Sequence, residues 1–154
     1  MLFVNEIGEI VHSTVDRYSG AANKNVGDAF LLVWKILEED HITDKITGEL
    51  SVKVCSRVNQ LCDMAVISFL LLKSALKKSR KMIKYNNHKG LNERMPGYRV
   101  GLGLGLHMGY AIEGAIGSYY KIDASYLSSH CRMAERLEGA TKHFGVPVLI
   151  SEQL

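Results

Sequence analysis

The first candidate functional residue in this chain is an aspartate at a tight turn. Gly27 and Asp28 lie between two apolar, β-prone runs, which predicts a hairpin with strands at 22–26 and 29–34. A carboxylate held on such a turn can bind a hard cation such as Mg²⁺ through oxygen. An ordinary solvated turn has the same sequence, so both interpretations of Asp28 stay open.

Two arginines near the C-terminus form a second candidate group. Arg132 and Arg136 lie four residues apart in a segment predicted to be helical, so they share one face of that helix. Guanidinium groups on one face can clamp a phosphate. Arg132 can equally be a solvated side chain paired with Glu135 or Glu138, and the spacing does not separate these alternatives.

The elements that must position these residues follow from the apolar pattern. Helical spacing predicts an amphipathic helix over residues 3–18 and a longer helix from about residue 51 to 85. Ser128 or Ser129 can cap a third helix that ends near residue 144. Strands are predicted at 99–109, 111–117, 121–127 and 146–150, and polar loops at 38–50 and 86–97.

This order of elements predicts one α+β domain over residues 1–154, with a ferredoxin-like antiparallel sheet and helices packed on it. A hydrophobic content of 47% and a charged content of 23% agree with a globular domain that buries a core. The net charge of +3 is too small to indicate nucleic acid as a partner. An odd number of cysteines without metal spacing predicts reduced thiols in an intracellular domain.

The longer helix combines an apolar run with a basic end. The run at 64–72 is too short to cross a bilayer and predicts the buried middle of the helix. Cations near a helix C-terminus can bind anionic lipid, or they can favour the helix dipole and solvate an outer face. Both interpretations apply to Lys73, Lys77, Lys78, Arg80, Lys81 and Lys84.

Five blocks of sequence follow one another along the chain. The first is the turn at Gly27 and Asp28, and the others are 99–109 (RVGLGLGLHMG), 111–118 (AIEGAIGS), 136–142 (RLEGATK) and 144–152 (FGVPVLISE). Together they resemble the catalytic domain of the class III adenylyl and guanylyl cyclases. The resemblance covers most of the chain and implies a purine nucleotide cyclase that makes cyclic AMP and pyrophosphate from ATP in intracellular signalling.

The resemblance also assigns roles to individual residues. Asp28 aligns with the family's second metal aspartate, which helps to hold two Mg²⁺ or Mn²⁺ ions in a complete site. Lys24 aligns with the base-reading position, where guanylyl cyclases usually have glutamate, and Ser125 aligns with its partner position. This pair favours ATP over GTP. The family implies a dimer with a second cyclase domain, identical or different, and an active site at the interface.

Some family residues have no counterpart within 1–154. The first metal aspartate belongs to a strand ahead of the first helix, and a phosphate-binding lysine belongs to a later segment, so the chain alone is expected to be inactive or nearly so. Arg136 aligns with the arginine that stabilises the transition state, whereas Arg132 replaces an asparagine that orients the ribose. The alternative is a catalytically degenerate domain that dimerises, binds nucleotide or regulates a partner. Attachment of the intracellular domain to a membrane stays open.

Two histidines have no predicted chemical partner. His107 matches a histidine common in the family and is expected to be structural, because no second histidine lies at ligand spacing. His130 can titrate near neutral pH, but the sequence gives it no nucleophile to activate.

Overall fold

A computed structural model describes residues 2–154 of the chain. Five α-helices and eight short strands alternate within this range, together with one turn of 3-10 helix. In chain order they are α1 (Leu2–Arg17), β1 (Ala21–Val26), β2 (Ala29–Val33), the 3-10 turn (Glu38–Asp40), β3 (His41–Thr43), β4 (Leu50–Val52), α2 (Ser56–Lys78), α3 (Arg80–Asn86), α4 (Lys89–Arg94), β5 (Leu104–Leu106), β6 (Ile112–Ser118), β7 (Lys121–Leu127), α5 (Ser129–Phe144) and β8 (Val148–Ile150).

The strands pair two by two in the part of the chain that the structure describes. The pairs β1–β2, β3–β4 and β6–β7 are antiparallel, and β5–β8 is parallel because α5 connects β7 to β8 and returns the chain beside β5. Helices and strands therefore combine in an α+β fold, as the sequence predicted. The parallel pair is a feature that the predicted antiparallel sheet did not include.

Glycines let α5 lie directly on β5. A Cβ atom at Gly105 would collide with the backbone of Ala134 and Glu138, and one at Gly103 would meet the Thr141 side chain. The leucines between and after them, Leu104 and Leu106, are buried in the core. The leucines of this segment thus face the core while its glycines lie against α5, and only three of the residues predicted as strand at 99–109 form β5.

The core lies between α1, α2, α3 and β5. Val11 and Val15 of α1, Leu72 of α2 and Met82 of α3 are fully buried there. Trp34 connects the first hairpin to this core, because its ring packs edge to face on Phe69 and its indole N–H donates to the Tyr18 carbonyl at 2.9 Å. The hairpin that carries Asp28 is thereby fixed to both α1 and α2.

The long predicted helix is interrupted. Ser79 has an extended backbone (φ −66°, ψ 121°), and its side chain accepts a hydrogen bond from the Met82 amide. A serine in this conformation ends α2 and caps α3, as serines do when they compete with the helical backbone. The break turns Met82 into the core. The predicted loop at 86–97 also contains the short helix α4.

The predicted polar loop at 38–50 contains more structure than expected. A 3-10 turn leads into the two-stranded ribbon β3–β4, so α2 begins at Ser56 and not at residue 51. Arg57 anchors the turn by donating from Nε and Nη2 to the two oxygens of the buried Asp40, at 2.8 and 2.6 Å. This bond holds the pKa of Asp40 below its ordinary value. The ion pair was not predicted.

The apolar run within α2 is buried on one face only. Phe69 and Leu72 belong to the core, whereas Ile67, Leu70 and Leu71 are 41%, 58% and 39% exposed. The expectation of a fully buried middle part is therefore wrong for these three residues. By length and composition alone α2 could cross a membrane, a property that core helices share. The periodicity of the apolar run did not show that α2 has two apolar faces, of which only one is buried.

Candidate functional site

The first hairpin has the predicted turn. Val26 pairs with Ala29, so Gly27 and Asp28 form a two-residue connection, and the strands agree with the prediction to within one residue at their outer ends. Gly27 has a φ of +64°, a left-handed conformation that glycine adopts without strain. Asp28 is exposed at the tip. The hairpin is confirmed, and the metal-binding role of Asp28 stays a prediction.

Lys24 and Ser125 lie in contact although 101 residues separate them in the sequence. The Lys24 ammonium donates to the Ser125 hydroxyl with an Nζ to Oγ distance of 2.7 Å, and Ser125 is 5% exposed. Lys24 keeps two N–H donors, and the serine keeps its O–H donor and a second lone pair. The two residues that the family resemblance placed together therefore form one mixed donor and acceptor group, which is what recognition of a purine edge requires.

Asn23 is a residue at this site that the sequence did not reveal. The pairing of β1 with β2 shifts between Ala22 and Lys24, so Asn23 forms a bulge. Its Nδ2 lies 3.4 Å from the carbonyl oxygen of Ala124, and its Oδ1 is buried without a hydrogen-bond partner among residues 2–154. Asn23 and Lys24 thus contact consecutive residues of β7. In the sequence, only the position of Asn23 next to Lys24 could have indicated that it belongs to the site. The residues around Asn23 give no signal of a β-bulge.

A second group of polar side chains fixes the β6–β7 hairpin near the first one. Lys35, which follows β2, forms an ion pair with Glu113, and the Tyr126 hydroxyl donates to Glu113 at 3.0 Å. The hydrogen bond from Lys35 holds the pKa of Glu113 below its ordinary value. Burial raises the pKa of Tyr126, and its bond to Glu113 raises it further. These contacts help to hold Ser125 beside Lys24.

The two candidate arginines lie on α5. Ser128 caps this helix as predicted, because its Oγ accepts hydrogen bonds from the backbone amides of His130 and Cys131 at 2.9 and 3.2 Å. Arg132 and Arg136 are exposed one turn apart on the helix.

Neither arginine is neutralised within the chain. In the range 2–154, no salt bridge joins Arg132 or Arg136 to an acid, including the nearby Glu135 and Glu138. No hydrogen bond links either arginine to Lys24 or Ser125 within that range. The two guanidinium groups therefore remain available to an external anion, while Lys24 and Ser125 form a separate part of the candidate site.

The acidic residues of the described chain do not form a metal centre on their own. No group of three histidine, cysteine, aspartate or glutamate side chains between residues 2 and 154 is arranged to hold an ion. Asp28 offers one carboxylate, whereas Mg²⁺ takes an octahedral set of oxygens. A centre for two ions does not fit these residues alone.

His107 has a partner that sequence spacing did not show. Its Nε2 lies 2.8 Å from Nδ1 of His130, with the two rings stacked, and its Nδ1 lies 2.7 Å from Oγ of Ser151. Burial lowers the pKa of His107, and His130 lowers it further. The network connects the end of β5 to the start of α5 and to the residue after β8. It is consistent with the structural role expected of His107.

Comparisons with known proteins bear on the fold of the chain. No protein-family profile matches the chain. An adenylate cyclase from Anabaena cylindrica is 24% identical over 153 residues, which cover 99% of this chain and 25% of that protein. Two structures of a bacterial light-regulated adenylyl cyclase match 99% of this chain and 36% of theirs, with TM-scores of 0.64 and 0.65 at 21% and 20% identity.

The chain thus spans a quarter of the length of the curated relative and about a third of the solved chains. At such identities the structural match establishes the fold and leaves the activity to be tested. The cyclase-like order of sequence blocks, the Gly-Asp hairpin and the structural match agree with one another. The chain therefore has a class III cyclase-like fold.

Proposed function

We propose that the chain is the catalytic domain of an adenylyl cyclase, which converts ATP to cyclic AMP and pyrophosphate in intracellular signalling. The observation that carries the proposal is the contact of Ser125 with Lys24, which lies on the same hairpin that presents Asp28. The curated relative and the two solved structures described above are named as adenylyl cyclases, which supports the same substrate. GTP is the second substrate to consider.

The base-reading pair suits adenine. The Lys24 ammonium only donates, so it fits the ring nitrogen N1 of adenine, which only accepts. The Ser125 oxygen can accept from the exocyclic amino group of adenine while it also accepts from Lys24. Guanine presents an N–H at its N1 position, which would face the Lys24 donor. The pair therefore favours ATP over GTP.

The arginines suit the transferring phosphoryl group. In the reaction the ribose 3′-oxygen loses its proton and bonds to the α-phosphorus, and the bond from that phosphorus to pyrophosphate breaks. Negative charge on the phosphoryl oxygens requires fixed cations. Arg136 is assigned this role, with Arg132 one turn away as a second contact to phosphate. Mg²⁺ or Mn²⁺ is proposed as the cofactor, with ligands beyond Asp28 to be found.

The proposed partner is a second cyclase domain, identical or different. Ile112 and Leu127 are directly paired on the β6–β7 hairpin and are 71% and 55% exposed. Because residues two apart on a strand share a face, Leu127 lies on the same hairpin face as Ser125. A partner that covers these apolar side chains therefore also approaches the base-reading pair, which supports an active site at the interface.

Removing the exposed apolar pair is expected to weaken the dimer. The double variant Ile112→Ser, Leu127→Ser should raise the dimer dissociation constant about 10-fold or more, because each buried side chain contributes on the order of 1.5 kcal/mol or more. Sedimentation equilibrium of the 154-residue chain measures this constant. Ile46→Ser, Val54→Ser is the matched control, since both residues are almost fully exposed and lie in loops outside this hairpin. Equal effects of the two double variants would contradict the interface.

The activity is tested by cyclic AMP formation from ATP and Mn²⁺. We expect negligible turnover by the 154-residue chain, because Asp28 is a lone carboxylate there, and measurable turnover by the full-length gene product that Asp28→Ala removes. Asp16→Ala is the control, an exposed aspartate on α1. Cyclic AMP production that survives Asp28→Ala would overturn the metal assignment.

A catalytically degenerate domain is the second candidate. The observation in its favour is Arg132, which stands where the family has asparagine and has no partner acid within 2–154. Loss of an orienting group costs on the order of 100-fold in rate. A full-length product that binds ATP and dimerises without making cyclic product would establish this candidate as a nucleotide-binding or regulatory module.

A further inference from the structure

Charge is segregated along this chain. Residues 64–92 contain seven of its 19 lysines and arginines and none of its 16 acidic residues, so the rest of the chain is net acidic. All seven cations are exposed. Lys81 pairs with Glu9, whereas the other six form no salt bridge in the described range: Lys73, Lys77, Lys78, Arg80, Lys84 and Lys89.

Exposed apolar side chains lie beside these cations on α2. Ile67, Leu70 and Leu71 are spaced three and four residues apart, so they form one outward patch opposite the buried Phe69 and Leu72 face. Lys77 and Lys78 lie on the same outward side, about two turns further along. We call Ile67, Leu70, Leu71, Lys77 and Lys78 the α2 patch. Its N-terminal half is apolar and its C-terminal half is cationic.

We propose that the α2 patch docks the domain on a bilayer surface that contains anionic lipids. The apolar half enters the headgroup boundary, where amphipathic helices bury their apolar face, and the lysines contact the lipid phosphates and carboxylates. The uneven distribution of charge orients the domain on the membrane, because the net acidic remainder of the chain is repelled from the anionic lipid surface. The patch thus complements an anionic membrane in both apolarity and charge.

The inference is independent of the proposed enzymatic function. None of the five residues of the α2 patch belongs to the candidate site at Lys24, Asp28, Ser125 or α5. Docking can therefore be measured without nucleotide or metal. A failed cyclase assay would leave the docking intact, and a failed docking assay would leave the cyclase assignment intact.

Vesicle cosedimentation tests the proposal with the 154-residue chain. We expect binding to vesicles of phosphatidylcholine mixed with phosphatidylserine, no binding to pure phosphatidylcholine, and weakening of the binding by added salt. Leu70→Gln, Leu71→Gln should lower the partition coefficient about 10-fold, and Lys77→Gln, Lys78→Gln about 10-fold or more. These side chains are exposed, and circular dichroism verifies that the variants fold.

Matched controls separate the patch from general charge and apolarity. Lys45→Gln, Lys142→Gln removes two exposed cations from other elements, and Ile46→Gln, Val54→Gln removes two exposed apolar side chains. Both control variants should bind like the native chain. The proposal is overturned if the vesicles do not bind the chain, or if a control variant weakens binding as much as its patch counterpart. It is also overturned if Leu70→Gln, Leu71→Gln leaves lipid binding intact and instead raises the dimer dissociation constant.

Discussion

Replacing Arg136 with alanine is expected to lower kcat of the full-length gene product by about 100-fold or more, while the affinity for ATP changes much less. A guanidinium that strengthens its contact only as charge develops on the phosphoryl oxygens stabilises the transition state more than the bound substrate. Arg136 is exposed on α5 and has no salt bridge within residues 2–154. Steady-state kinetics with ATP and Mn²⁺ separate kcat from KM, and direct ATP binding measures affinity.

Variants on the same helix make this test specific. Lys142→Ala removes an exposed cation near the end of α5 and should leave kcat unchanged. Arg132→Asn restores the family residue. It should raise kcat if the substitution is a lesion, and lower it if Arg132 has become a second phosphate clamp. Unchanged turnover in both Arg136→Ala and Arg132→Asn would remove the arginines from the mechanism.

The second large effect concerns the choice of base. Lys24→Glu is expected to lower the ratio of kcat/KM for ATP over GTP by about 10-fold or more, because it replaces a donor with an acceptor where the purine edge is read. The substitution also removes the ammonium donor of the 2.7 Å contact and leaves Ser125 to donate to the new carboxylate. Parallel kinetics with the two nucleotides give the ratio.

A control of equal charge change accompanies the base test. Lys121 lies on the exposed tip of the β6–β7 hairpin. The variant Lys121→Glu should leave the ratio of kcat/KM for ATP over GTP unaltered. If Lys24→Glu lowers turnover of both nucleotides equally, Lys24 supports the site and does not read the base. A native protein that turns over GTP faster than ATP would refute the assignment of ATP as the preferred substrate.

Local pattern was sufficient for several elements of the site. The Gly27-Asp28 turn follows from two residues with turn preference between β-prone runs, and glycine satisfies the positive φ that the turn needs. The cap of α5 by Ser128 follows from a side chain that bonds to nearby backbone amides. Such interactions connect residues within a few positions of each other, so sequence alone reports them.

Contacts between residues that are distant in the sequence could not be predicted from local pattern. Asp40 binds Arg57 across 17 residues and His107 binds His130 across 23, and neither spacing matches a helical or strand period. The bulge at Asn23 depends on how β1 registers against β2. Family resemblance, and not periodicity, was the reason to place Lys24 near Ser125.

The sequence by itself predicted the candidate site residues, most of the helices and strands that position them, and the class III cyclase-like fold. Tertiary structure decided what those side chains face. It brought Lys24 and Ser125 together across 101 residues, and it turned Leu70 and Leu71 outward although their apolarity predicted burial. The physical reason is that a helix with more than one apolar face can bury only the face that finds a partner, and packing between distant elements selects that face.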